Sequence, residues 1–328
     1  MTEPSIDKDS PPLPPVSADC WFLTGPTASG KTAVAIALAQ QIDAEIISLD
    51  SMAIYRGMDI GTGKDLGEYN FKGVSIPYHL IDIVDPVEEY NVARFQEDFQ
   101  RVSTDIRERK KLPILCGGTG FYIKAVLMDF QLPTAEPDKH LRQKLENWKL
   151  EDLINELEAI SPGASSQTLV DTKRRVIRAI EVAKNRGKDN GTLTSSVTRE
   201  KELRYPIPDP QSPLVIGVEF PREVIRERIT KRLHERLENG MIEEVESLFN
   251  DGVTHERLDS FGLEYRFISR YLQGQLNKEE MTAQLNTAIH QFAKKQMTFF
   301  RNMEKNGINI HWIPEGDFET ALKVIAKE

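Results

Sequence analysis

The segment WFLTGPTASGKT, residues 21–32, constrains the fold of this chain more tightly than any other stretch. A short apolar run is followed by G-x-x-x-x-G-K-[ST] and then by a helical pattern from Lys31. In that context the spacing forms a phosphate-binding loop. Gly25 and Gly30 let the backbone turn tightly enough for its N–H groups to face phosphate oxygens, and the following helix adds the positive end of its dipole. Lys31 brings a charge to the phosphates, and the Thr32 hydroxyl can coordinate Mg²⁺. What happens to the phosphate is left open, because most such loops serve phosphoryl transfer or nucleotide hydrolysis.

The following residues predict an α/β architecture. AEIISLD (44–50) reads as a second buried strand, HLIDIV (79–84) as a third strand or an irregular segment, and KLPILCGG (111–118) as a strand closed by two glycines. Residues 91–110 have helical spacing, with Val92, Phe95, Phe99, Val102 and Ile106 on one side. Another helix is expected from Thr119 to about Met128. Strands alternating with helices imply a mostly parallel sheet with helices on both faces, as in P-loop NTPases.

The pattern changes after Phe130. LPTAEPD reads as a linker, 138–160 as two short helices around Trp148, SPG at 161–163 as a break and 171–187 as a basic helix. Residues 188–213 are polar and Pro-rich and predict a loop. PLVIGVEF (213–220) returns as a strand, followed by helices over 221–239, 241–251, 260–273 and 278–304, the small strand INIHWI and a final helix. The expected division is a disordered tail (1–18), a catalytic core (19–130 with 188–328, its C-terminal region helical) and a helical insertion (131–187).

Composition narrows the class. With no run of about 18 apolar residues, no membrane span is expected. The first twenty residues lack the basic and apolar regions of a secretion signal. Two cysteines, Cys20 and Cys116, are too few for a disulfide framework, so a cytoplasmic location is expected. The net charge of −9 weighs against nucleic acid as a partner, but from Asp171 to Arg204 ten Lys/Arg face five Asp/Glu, which leaves room for a basic surface.

Asp50 ends the second strand. Strand C-termini of parallel sheets face the ligand crevice, so Asp50 and Lys31 are expected to share one cleft, with Asp50 as general base or as a metal holder through water. The segment 50–64 that follows is polar, carries Tyr55, Arg56, Asp59, Thr62 and Lys64 with three glycines, and reads as a binding loop. Tyr55 and Tyr122 read equally as base-stacking or core residues. Met52 and Met58 read as packing, His79 and His290 as ordinary half-buried residues, and Glu243, Glu244 and Glu246 as a solvated helix face. The six histidines show no metal-ligand spacing.

At this point the chain resembles the tRNA dimethylallyltransferases. The resemblance rests on GPTASGKT at 25–32, DSMAIYRGMDIGTGK at 50–64, DPVEEYNVARF at 85–95, GGTGFYIKAV at 117–126, RRVIRAIEV at 174–182, RERITKRL at 226–233 and FAKKQMTFFR at 292–301. These occur in family order and cover nearly the whole chain after the tail. The resemblance implies transfer of a dimethylallyl group from dimethylallyl diphosphate to N6 of the adenosine beside (3′ to) the anticodon of tRNA, with release of pyrophosphate and Mg²⁺ as cofactor. It implies Asp50 as base, Thr119 near the reacting groups and Arg228 against the charge of the leaving pyrophosphate. The diphosphate would be cradled by the loop from Gly25 and Pro26 through Thr27, Ala28, Ser29, Gly30, Lys31 and Thr32, the last also touching the metal. Asp50, Ser51, Met52 and Ala53 would border the adenine, and Arg174, Arg175 and Arg178 would touch RNA of the anticodon stem-loop. A monomer without membrane attachment is expected.

The sequence departs from the family pattern in places. GTGK stands where G-T-A-K is usual, and Asp171 and Thr172 where an Asn-Asp pair is usual. Phe299 takes the place of a common Trp. GLEYR (262–266) replaces G-Y-[KR]-E, putting Glu264 where a base would meet RNA. These changes are expected to spare the pyrophosphate site and to gather where RNA is held. Three other readings are weaker: a prenyltransferase of free AMP, ADP or ATP, a P-loop small-molecule kinase, and a non-catalytic RNA-binding relative.

Overall fold

The structure, a computed structural model, describes residues 20–71, 73–127, 138–167, 170–186 and 213–326. In chain order the elements are β1 (Trp21–Thr24), α1 (Lys31–Ile42), β2 (Glu45–Ser48), a hairpin of β3 (Asn70–Phe71) and β4 (Val74–Ser75), β5 (Tyr78–His79), α2 (Val92–Glu108), β6 (Pro113–Cys116) and α3 (Gly120–Leu127). There follow α4 (Lys139–Glu146), α5 (Leu150–Ile160), α6 (Ala164–Gln167), α7 (Lys173–Arg186) and β7 (Leu214–Glu219). The chain then runs through α8 (Arg222–Glu238), α9 (Met241–Asn250), α10 (His255–Ser260), α11 (Leu263–Leu272), α12 (Lys278–Lys305), β8 (Ile310–Pro314) and α13 (Phe318–Ile325).

These elements form two units. The first is built from residues up to Ile123 and from the chain beyond Asp209, and the second is Lys124–Pro208. The linker expected at LPTAEPD (all but its last residue, Asp138), the loop expected at 188–213 (all but its last residue) and the tail lie outside the described residues.

The first unit is organised by a six-stranded sheet in the order β5-β2-β6-β1-β7-β8, parallel at every pairing. Its central strands β2, β6 and β1 are short runs buried on both faces, as parallel sheets require. Trp21, Phe22, Leu23, Ile46, Ile47, Ile114 and Leu115 are fully buried, each contributing on the order of 1.5–3 kcal/mol. α1 buries six consecutive residues, Val34 to Ala39, against that sheet. A second apolar cluster joins Ile54, Met58 and Val84 to α8 through α12.

Local chemistry sets the boundaries. Asn91 starts α2 by accepting the N–H groups of Ala93 and Arg94, and Asn277 with Glu280 closes a capping box on α12. Two expectations change. HLIDIV forms ladder pairs only at its start: Leu80 and Asp82 have φ of 59° and 54°, which leaves the pleated conformation, and Val84 makes an isolated bridge to Tyr55. The helix expected over 260–273 is α11 and starts only at Leu263, because Phe261 is extended (φ −76°, ψ −169°), and a short helix not expected from the sequence, α10, precedes it.

The second unit packs α4, α5 and α7 around Leu145, Leu153, Leu157, Val176, Ile177 and Ile180. Its centre also holds the buried carboxylate of Glu181, which accepts from Arg142, Arg178 and the Asp138 N–H. Among the described residues no helix is long and apolar enough to cross a membrane.

Candidate active site

Four adjacent strands, β2, β6, β1 and β7, end on the same edge of the sheet, and the loops leaving them build the site. From β1 comes the phosphate loop. Gly30 has φ of 77° and stands immediately before α1, a left-handed conformation that a side chain would strain. The loop closes on itself through Ser29 N–H to Pro26 O (3.3 Å), and Lys31 and Thr32 open α1. The Ser29 hydroxyl is buried and has no hydrogen-bond partner among the described residues, which suits a group waiting for an anion.

From β2 comes Asp50. Its Oδ1 accepts the Met52 N–H at 2.8 Å, which holds the turn that follows the strand. From β6 come Gly117, Gly118 and Thr119, and Thr119 Oγ1 accepts the Ser51 N–H at 3.3 Å. The loops of β2 and β6 are thereby tied together beside the acid. Leu49 N–H to Cys116 O (2.8 Å) and Gly117 N–H to Leu23 O (3.1 Å) continue the ladder to the edge of the site.

Electrostatics place Lys31 and Asp50 in one neighbourhood. Burial pulls the Lys31 ammonium below its ordinary pKa and Arg232 adds to this, while Cys116 and Asp50 act in the other direction. Burial pushes the Cys116 thiol up to about 11, against the pull of Lys31 and a hydrogen bond from Thr32. It is therefore a neutral structural thiol, and the Thr32 hydroxyl already leans on it.

The helices bring further side chains to which the sequence reading gave no role at the phosphate loop. Thr27 and Ala28 line a cavity of about 20 Å³ with Arg232, Arg236, Glu264, Ile229, Leu233 and Ile289, room for about one water molecule. Arg232 and Arg236 also reach the 57–64 segment: Arg232 donates to Gly63 O (3.4 Å) and Asp65, and Arg236 to Gly61 O (3.5 Å). One Arg236 nitrogen, Nη2, is buried without a partner among the described residues, and burial brings this guanidinium down to about 10. Arg228 lies one turn earlier on α8, over the Phe220 ring at 3.9 Å and outside the cavity wall. The spacing 228, 232, 236 was a readable signal of an arginine stripe on one helix face.

Two expectations about acids are overturned. Glu264 does not stand apart from the phosphate loop, because its side chain lines the same cavity as Thr27. Burial raises its pKa, with Arg236 and Arg232 opposing and Asp50 reinforcing the shift. Glu244 is not part of a solvated face: its carboxylate accepts the N–H groups of Asp59 (2.8 Å), Ile60 (2.6 Å) and Gly61 (3.0 Å) and the hydroxyl of Tyr265 (2.7 Å). Lys64, expected in a binding loop, is buried and pairs with Asp59 and Asp82 while donating to Tyr55 O. The 57–64 segment is thus clamped from α8, α9 and α11.

Several open choices are decided. Tyr122 stacks on Phe95 at 3.8 Å and Tyr55 packs on Phe261 at 4.9 Å, so both are core residues. Met58 is buried, and Met52 is half-buried beside Gly262. Ala53 is buried while Ser51 and Met52 keep partial access. His79 pairs with Glu45, and His290 contacts Thr230. Tyr265 is core, and Arg266 binds back to Asp259. In the second unit Arg174 is exposed on α7, Arg175 pairs with Asp171 at 2.5 Å and Arg178 with Glu181.

A phosphate loop after β1, an acid after β2 on the same sheet edge, and Arg232 and Arg236 beside the loop agree with the comparisons. The model of the IPP transferase family matches residues 53–303, and that of the isopentenyl transferase family residues 18–78. The chain belongs to the IPP transferase family. It is 49% identical over 296 residues to tRNA dimethylallyltransferase 1 of Parabacteroides distasonis, spanning 89% of this chain and 91% of that one. It is 44% identical to tRNA dimethylallyltransferase 1 of Geotalea uraniireducens, spanning 92% and 94%. Among solved structures, a tRNA isopentenylpyrophosphate transferase from Bacillus halodurans matches with a TM-score of 0.65 and 33% identity over 94% of both chains. A eukaryotic dimethylallyltransferase shares the fold at a TM-score of 0.69. The chain is accordingly a prenyl-transferring enzyme with a mostly parallel α/β core.

Proposed function

We propose that this protein transfers the dimethylallyl group of dimethylallyl diphosphate to N6 of the adenosine 3′ to the anticodon of tRNA, as a monomeric cytoplasmic enzyme. The observation that carries the reading is the juxtaposition of Asp50 with the phosphate loop through Thr119, Cys116 and Lys31.

In this reading the diphosphate occupies the loop from Gly25 to Thr32. It is met by backbone N–H groups, the orphaned Ser29 hydroxyl and the Lys31 ammonium. As the adenine N6 bonds to the first carbon of the dimethylallyl group, the carbon–oxygen bond to the diphosphate breaks and pyrophosphate leaves. Asp50 takes the N6 proton, since an exocyclic amine is a poor nucleophile that a base in hydrogen-bond reach assists. Negative charge growing on the pyrophosphate is met by Lys31 and by the arginine stripe, Arg228, Arg232 and Arg236. The adenine must leave its stack to reach Asp50, Ser51 and Met52, with the backbone of Ala53 closing that border. Arg174, Arg175 and Arg178 give α7 a positive face for RNA phosphates.

Mg²⁺ fits the donors present. Thr32 and Asp50 offer hard oxygens, while no group of three or more His, Cys, Asp or Glu is gathered among the described residues. Mg²⁺ is commonly held by few protein ligands together with substrate phosphates and water. It would add positive charge at the diphosphate.

The test is mass spectrometry of unmodified tRNA after incubation with the protein, Mg²⁺ and dimethylallyl diphosphate. A single dimethylallyl adduct on the adenosine 3′ to the anticodon is expected. Adducts on free AMP, ADP or ATP with none on tRNA would replace this reading by that of an adenylate prenyltransferase.

A further inference from the structure

Gln296 is a polar residue on the buried stripe of α12 that also carries Met281, Leu285, Ile289, Ala293, Phe300 and Met303. It is only 7% exposed, so both ends of its amide must find partners inside the protein. Its Oε1 accepts the Thr27 N–H at 2.8 Å, and its Nε2 donates to Gly118 O at 3.2 Å. The orientation is fixed by chemistry, because a backbone N–H can only donate and a carbonyl can only accept. A side chain at Gly118 would bring its Cβ within 2.6 Å of Nε2, so glycine there gives the amide its access.

These partners belong to the two loops that leave the neighbouring strands β1 and β6. Gly118 is followed by Thr119, whose hydroxyl accepts the Ser51 N–H next to Asp50. An unbroken path therefore runs from the phosphate loop through Gln296 to the loop beside the acid. We propose that Gln296 is a positioning residue that holds the diphosphate loop in register with the Thr119–Asp50 side of the site. The inference deepens the prenyl-transfer reading and rests on it for the acceptor side, while the diphosphate side stands on the hydrogen bonds. Gln296 touches neither substrate; it acts through Thr27 and Gly118.

The experiment compares wild type, Gln296→Met and Gln296→Glu, titrating each with inorganic pyrophosphate in Mg²⁺ and separately measuring steady-state transfer to tRNA. Methionine keeps the volume but leaves the Thr27 N–H and the Gly118 carbonyl unpaired. Pyrophosphate binding should weaken about tenfold, with kcat falling by a similar factor and KM for tRNA little changed. Glutamate restores both contacts only when protonated, as a neutral acid with one donor and one acceptor. Lowering the pH from about 8 to about 6 should therefore recover its binding relative to Gln296→Met. Taking that ratio at each pH removes the titration of the ligand and of Lys31 and Glu264, which both variants share. A Gln296→Met protein within twofold of wild type in pyrophosphate affinity and in kcat overturns the proposal, as does a Gln296→Glu protein with no recovery at low pH. If methionine impairs folding, the Gln296→Glu ratio to wild type carries the same test. A wild type that binds pyrophosphate but transfers nothing to tRNA refutes the reading of function instead, and the clamp is then judged on pyrophosphate binding alone.

Discussion

The sheet edge and the helical layer of the first unit contribute different things to the same site. The loops after β1, β2 and β6 supply backbone donors, the Lys31 ammonium, the Asp50 carboxylate and the hydroxyls of Ser29, Thr32 and Thr119, all within short motifs. The helices α8, α9, α11 and α12 supply Arg232, Arg236, Glu244, Glu264 and Gln296, each spaced among residues that build an apolar core. The groups proposed to react thus sit at the sheet edge, and the groups that pack around them sit on the helices. Residues of the first kind should show their loss chiefly in turnover, and those of the second in affinity, pH dependence or stability, with Gln296, which joins the two, showing it in both affinity and kcat.

The largest effect is expected from the sheet side. Asp50→Ala should lower turnover by about 10²- to 10⁴-fold, the usual worth of a general base. Asp50→Asn keeps an oxygen for the Met52 N–H, so it should melt close to wild type and be about as inactive. Turnover retained by either variant would remove Asp50 from its role.

A smaller effect on the opposite side sharpens the contrast. Glu244→Ala strands three backbone N–H groups and the Tyr265 hydroxyl. It should cost about 3 kcal/mol of stability, at roughly 1–3 kcal/mol per buried group and with partial access for water. Thermal melting checks this. A drop in turnover with unchanged melting would place the 57–64 segment in the chemistry and blur the division. Arg236→Met should weaken pyrophosphate binding about tenfold, because a charge-assisted contact is lost. Calorimetric titration with pyrophosphate is the measurement, and unchanged affinity would take α8 out of the anion site.

The smallest effect is a change of shape in a pH profile. The Glu264 carboxyl holds its proton above the usual carboxylate range because it is buried. As pH rises through that raised value, a negative charge appears in the cavity beside Thr27, so pyrophosphate affinity should decline on the alkaline side in wild type. Glu264→Gln should flatten the decline. The linkage for stability has the same sign: a carboxyl whose pKa is raised on folding favours the folded state at low pH, and this contribution disappears as pH climbs through the folded value. The glutamine variant should therefore gain in relative melting temperature at higher pH.

Much of this division was legible beforehand, and unevenly. The order of β1, β2, β6 and β7 and of the helices between them follows from apolar runs and 3.6-residue spacing. Asp50 and Lys31 follow from a strand end and a motif, and Thr119 from the family resemblance. α10 was missed because it is only six residues long, HERLDS, and carries one buried apolar residue, Leu258, too few to show a helical period. Glu244 was missed because a glutamate on a helix face looks alike in water and over a loop. Tyr55 and Tyr122 were undecidable because a buried ring and a base-stacking ring share one composition signal.

What the sequence determined by itself is the chemistry held in contiguous residues: a loop that can carry diphosphate, a strand that ends in an acid, and alternating elements that can only assemble as a parallel α/β sheet. What only the tertiary structure decided is which distant side chains complete it. Gln296 meets Thr27 across 269 residues, and Glu264 turns toward the phosphate loop rather than away from it. The reason is physical: backbone conformation follows from neighbours along the chain, whereas a buried polar side chain acquires its role from partners that packing alone brings within hydrogen-bond distance.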